Sequence, residues 1–158
     1  MQPNVAKAKG TWVTDCTHQT SGSGKVTIVF GLDDQNRVSS TVVNYSDSDC
    51  ASVALTQTLI WNVKDDGTGT ATSFDLQATL VAADGTLSSA DYVTQANQTQ
   101  LCGKTDWTLN TKKSLLGLTC DGNVVKSKET DRISVSSNPN GTLSVEGPSE
   151  QSYTEFHR

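Results

Sequence analysis

Residues 53–81, VALTQTLIWNVKDDGTGTATSFDLQATLV, decide the fold. Val53, Leu55, Leu59, Trp61 and Val63 fall on odd positions, with Thr or Gln mostly between them. After Asp65-Asp66-Gly67, Phe74, Leu76, Ala78 and Leu80 share one face of a second run, Ala71 to Val81. Successive strand side chains point to opposite faces, so a period of two marks a strand with one buried face. Two such runs around an Asp-Gly turn predict an antiparallel hairpin.

The same reading extends in both directions. Trp12 opens a candidate strand to about Gln19, and Ser21-Gly22-Ser23-Gly24 turns it. Val26, Ile28 and Phe30 alternate with Lys25, Thr27 and Val29, Leu32 to Asn36 turns back, and Val38 to Tyr45 is the next strand. Asp84-Gly85 and Asp121-Gly122 read as further turns. Tyr92 to Cys102, Trp107 to Cys120 and the short Val124 to Lys128 read as strand regions. The best helical stretch, Ser88 to Gln100, has only Ala90, Tyr92, Val93 and Ala96 to offer as an apolar side. Ile133 and Val135 alternate on one arm and Leu143 and Val145 on the other, with Asn138-Pro139-Asn140-Gly141 between them, the clearest hairpin signal in the chain. The tail from Pro148 is an edge strand or frays.

The pattern predicts an all-β fold, a small antiparallel up-and-down β-barrel of 8–10 strands, with a β-sandwich as the alternative. Residues 1–9 carry no pattern and are expected to be a flexible lead-in; residues 10–158 are expected to be a single β-barrel domain. Only 34% of the 158 residues are hydrophobic, and Ser and Thr make up about a quarter. The core must therefore be lean and crosslinked.

Cys16, Cys50, Cys102 and Cys120 supply the crosslinks. Three pairings are open. Cys16 with Cys50 and Cys102 with Cys120 is favoured, the first enclosing the hairpin between Val26 and Asn44. Two disulfides point to an oxidising compartment, so an exported protein is expected, in the periplasm, cell envelope or extracellular space. The polar opening Met1-Gln2-Pro3-Asn4 fits a mature segment behind a removed export signal.

The net charge of -5 argues against nucleic acid, which needs clustered Lys and Arg. The only basic clusters, Lys112-Lys113 and Lys126 to Lys128, read as solvated turns or edges. No run of 18 apolar residues is present to span a membrane. The cysteines lack the close-set pairs of a zinc site, and neither His18 nor His157 sits in a nucleophile pattern. Asp15 and Asp75 are the candidates for a cavity carboxylate pair. Asp47, Asp49 and Asn44, or Asp65-Asp66, could offer oxygens to calcium but lack the loop signature, so turn formation is the favoured reading. Asn44-Tyr45-Ser46, Asn97-Gln98-Thr99 and Asn140-Gly141-Thr142 match the glycosylation sequon. No metal, cofactor or catalytic activity is expected.

Gly10-Thr11-Trp12 resembles the G-x-W motif of lipocalins, and Thr105-Asp106-Trp107 resembles their T-D-Y motif with Trp in place of Tyr. Arg132 lies where lipocalins place an Arg that packs on the motif Trp. A disulfide near the second motif is also found in some members. The resemblance implies an eight-stranded calycin-type barrel, open at one end, around a small apolar ligand. Lipocalins follow the late Arg with a helix, whereas this chain runs into the hairpin at 133–145. The motifs concern the closed end and imply no ligand contact. Trp12, Phe30, Trp61, Phe74 and Trp107 are the main candidates to line the ligand space or core, with Ile28, Leu59, Leu76 and Leu80 beside them. The expected function is an exported, non-enzymatic, monomeric protein that binds a small apolar or amphiphilic ligand. The alternative is a structural or adhesive cell-envelope protein or lipoprotein, whose filled barrel meets a cell-surface partner.

Overall fold

The computed structural model describes residues 1–127, 130–147 and 152–158. Its strands are β1 (Gly10–Val13), β2 (Thr17–Gln19), β3 (Gly22–Phe30), β4 (Arg37–Tyr45), β5 (Val53–Gly69), β6 (Ser73–Leu87), β7 (Lys113–Ser114), β8 (Thr119–Cys120), β9 (Asn123–Val124), β10 (Thr130–Ser137), β11 (Leu143–Glu146) and β12 (Ser152–Phe156). Ten of them form one antiparallel sheet, in the order β1-β3-β4-β5-β6-β10-β11-β12, with β2 also paired to β3 and β7 to β6. Val13 and His157 then exchange both backbone hydrogen bonds, at 2.8 and 2.9 Å, and bring the end of the sheet back to β1. The result is an all-β, nearly closed barrel, compatible with a calycin-type fold. Closure satisfies backbone groups that an open sheet would leave at two edges.

Register explains the inner wall. Phe30 faces Val38, Val38 faces Trp61, and Trp61 faces Leu80. Leu76 faces Ile133 and Phe74 faces Val135. These side chains and Trp12, Ile28, Leu143, Val145 and Phe156 form one buried cluster. On β6 the inward positions are even up to Leu80 and odd from Ala83 onward. An irregularity opposite Ile60 and Trp61 makes the switch, as a bulge does by inserting one residue.

Several expectations are corrected. Asp84-Gly85 is not a turn: β6 runs through it to Leu87, and Gly85 faces inward with Leu115 methyl carbons 3.5 Å from where its Cβ would lie. Asp65-Asp66-Gly67 lies in a bulged stretch of β5, where Asp65 accepts the N–H of Gly67, and the chain turns later, at residues 70–72. Tyr92 to Cys102 is not a strand: residues Ala90–Gln98 form helix α2, which buries only Ala96. So lean a face leaves no 3.6-residue stripe to read. Trp107 to Cys120 is mostly loop, with two two-residue strands. The span from Trp12 to Gln19 is broken into β1 and β2. The final arm, β12, is an edge strand, whereas Pro148 itself and Lys128 lie outside the described residues.

Residues Pro3–Ala8 form a helix, α1, at the end of the chain where the sequence carries no pattern. Val5 is fully buried and Ala8 nearly so, within the barrel's own cluster. The Trp12 indole donates to the Ala8 carbonyl at 2.8 Å, and Asn4 donates to Asp65 at 2.9 Å. One and a half turns are too short to be stable alone. Packing against the barrel base supplies the stability, and α1 seals that end.

Candidate functional site

The opposite end of the barrel is roofed by residues 88–127. The roof has its own small apolar cluster, in which Trp107, Ala96 and Leu115 meet Ala83 and Leu87 of β6. Asn97 holds it together: its side chain accepts the Trp107 N–H at 2.8 Å and donates to the Trp107 carbonyl at 3.0 Å. The Trp107 indole donates to the Leu101 carbonyl at 3.0 Å. Lys113 sits 5.5 Å from the centre of the Trp107 ring and 3.0 Å from Asp106. Cys102 is bonded to Cys120, which ties the 3-10 turn Leu101–Gly103, just after α2, to the β8–β9 hairpin. Leu115 donates its N–H to the Ala83 carbonyl at 2.8 Å, and so pins the roof to the barrel wall.

Beneath this roof is a cavity of about 520 Å³. Leu59, Trp61 and Leu80 of the barrel form its apolar floor, and Leu115 and Val124 its ceiling. Gln57, Asn123, Lys126 and Asp131 add polar groups. Asp131 faces inward opposite Ala78 and accepts the N–H of Arg132 at 2.7 Å. The volume falls in the range of small-molecule sites, and polar groups line the cavity about as much as apolar ones.

Of the expected lining residues, Trp61, Leu59 and Leu80 meet at this cavity. Trp12, Ile28, Phe30, Phe74 and Leu76 lie in the packed cluster toward the sealed end. Trp107 belongs to the roof. The remaining lining comes from residues 115–126, a loop with no periodicity, and from Gln57 and Asp131, polar residues that happen to fall on inward positions. Only their parity with Leu59 and Ile133 could have marked those two.

The disulfides pair as favoured, Cys16 with Cys50 and Cys102 with Cys120. The Trp12 ring does carry an arginine, but it is Arg158, with its guanidinium carbon 4.6 Å from the ring centre, and not Arg132. Arg132 lies outside the barrel, 3.1 Å from Asp75. Asp75 also accepts from Ser134 at 2.6 Å, whereas Asp15 lies in the loop after β1, 3.7 Å from His157. The structure does not bring the two carboxylates together. Asp47 accepts backbone N–H groups from Asp49, Ala51 and Ser52, which shape the loop that carries Cys50. The N–H of Ala51, with those of Ser52 and Asp49 and the Ser52 side chain, holds the Asp47 carboxyl below the usual range against a smaller opposing effect of burial. Both amide atoms of Asn97 in its sequon are engaged by Trp107.

A second cavity, of about 400 Å³, lies where β12 approaches β1 and β2. Val26, Val42 and Tyr153 give it apolar surface, and Thr14, Asp15, Thr17, Gln19, Lys25 and Glu155 complete it. Burial raises the pKa of the Tyr153 phenol. Comparison with known proteins finds no family model that matches the chain and no curated protein that matches it.

Proposed function

We propose that this is an exported, non-catalytic binding protein that holds a small amphiphilic molecule in the roofed cavity. One observation carries the reading: the barrel is packed solid toward α1, yet about 520 Å³ stays open beneath the roof, with Leu59, Trp61 and Leu80 on its floor. Binding would be driven by removing apolar area from water, at about 25 cal/mol per Å². Gln57, Lys126 and Asp131 would orient the polar part. Both disulfides fit an oxidising, exported environment. The packed lower half favours a second reading, a structural or adhesive envelope protein that meets a cell-surface partner through its outer face.

Native mass spectrometry of protein from its own host, beside the denatured sample, tests the choice. A mass excess lost on denaturation, and absent from a folded Leu59→Arg variant that fills the floor, is expected. A bare native mass, with Trp fluorescence unmoved by any amphiphile offered, would favour the surface reading.

A further inference from the structure

One cross-strand pair joins the linings of the two cavities. Val42 borders the seam cavity, Gln57 borders the roofed one, and the two residues are direct partners across β4 and β5. Both lie on the inner face. Val42 alternates with inward Val38, and Gln57 alternates with inward Trp61. Side chains of directly opposed residues stand about 5 Å apart, so the two cavities adjoin across these two side chains, with no further strand between them.

The seam cavity also has its own opening. The barrel is joined there by the Val13–His157 pair. Toward the roofed end, among the described residues, β2 pairs with β3 and β12 pairs with β11, and no ladder joins β2 to β12. Glu155 of β12 has φ +63°, a left-handed conformation rare outside glycine. The pairing of β12 with β11 is irregular between Tyr153 and Phe156. A bulge of this kind bends a strand and increases its local twist.

We infer that the two cavities are one lumen, which takes a single-chain amphiphile across the barrel. The polar head would stay with Lys126 and Asp131, and the chain would run over Leu59, Trp61 and Leu80, past Val42 and Gln57, into the seam cavity beside Val26. This rests on the ligand-binding reading above and specifies its ligand class. The path from β6 to β3 crosses three strand spacings, about 14 Å in all. A short chain fills the roofed cavity alone, and a long one must use both.

Alkyl maltosides from octyl to tetradecyl, kept below their micelle concentrations, are the probes, with methyl NMR on the wild-type protein as the readout. Octyl maltoside is expected to shift the methyl signals of Leu59 and Leu80, and tetradecyl maltoside to shift those of Val26 and Val42 as well. Affinity should rise about fourfold per added methylene while the chain still gains buried surface. In Val42→Trp, which thickens the partition, that rise should stop several methylenes earlier. Shifts confined to Leu59 and Leu80 at every chain length overturn the single lumen and leave the roofed site standing. So does a rise that stops at octyl in the wild type. The absence of any shift with any member of the series overturns both readings.

Discussion

Asn97→Ala should cost about 2 to 3 kcal/mol and open the roof before the barrel. The side chain makes two hydrogen bonds to the backbone of Trp107, a residue only 3% exposed. A typical intramolecular hydrogen bond contributes about 1 kcal/mol net, and a buried group left without a partner costs about 1 to 3 kcal/mol. Both bonds vanish at once in the variant. Asn97 itself is only half-buried, so water can reach part of the vacated space and keep the cost below the sum of two orphaned groups. The loss should be local, because few elements hold the roof and the Cys102–Cys120 bond survives. Urea unfolding followed by Trp fluorescence and far-ultraviolet circular dichroism should give two separated transitions in the variant. The Trp107 amide proton should exchange at least tenfold faster. A stability change within about 0.5 kcal/mol, the range of an ordinary surface substitution, with unchanged Trp107 exchange, would refute the argument that this clamp holds the roof.

Further outcomes follow from other contacts. Removing the Cys16–Cys50 bond by paired Cys→Ser substitution should lower stability by about 3 to 4 kcal/mol on the loop-entropy model, measured by urea unfolding. Arg158→Ala should cost about 0.5 to 2 kcal/mol through the lost cation–π contact, and a double-mutant cycle with Trp12→Phe should show coupling that Arg132→Ala lacks. Gly85→Ala should be neutral or stabilising by about 0.4 to 1 kcal/mol, because its backbone is not left-handed and Leu115 leaves ordinary contact distance; a clear loss in melting temperature would contradict this. The lowered carboxyl of Asp47 favours the folded state above its unfolded pKa, near 4, and that contribution is lost as pH falls through the lower folded value. The urea midpoint of Asp47→Ala should therefore fall less steeply below about pH 4 than that of the wild type.

The hairpins were legible because each buries one face and so writes a period of two into the chain. Phe74, Leu76, Ala78 and Leu80 are the clearest case, and the hairpin across Asn138–Gly141, where Val135 pairs with Val145, is another. The roof was not legible. Its helix buries one alanine, and its order comes from an amide clamp, an indole hydrogen bond and a disulfide, none of which has a period. The helix α1 was missed for a related reason: six residues that bury Val5 and Ala8 look the same in sequence as a lead-in. Of the candidate site, Trp61, Leu59 and Leu80 could be read from strand parity. Glycine misled twice, since Gly85 and Gly67 sit in a strand at an inward contact and at a bulge.

The Val13–His157 pair joins residues separated by almost the whole chain. Until His157 is available, the preceding strands form only a curved sheet whose first strand lacks a neighbour on one side. Contacts between such distant positions are slow to form, and an uncovered strand edge beside unburied Trp12 and Phe30 invites association with other chains. The order of synthesis therefore gives the nascent polypeptide a long interval in which it is sticky and unclosed. That interval is the stage at which a holding chaperone would have most to protect.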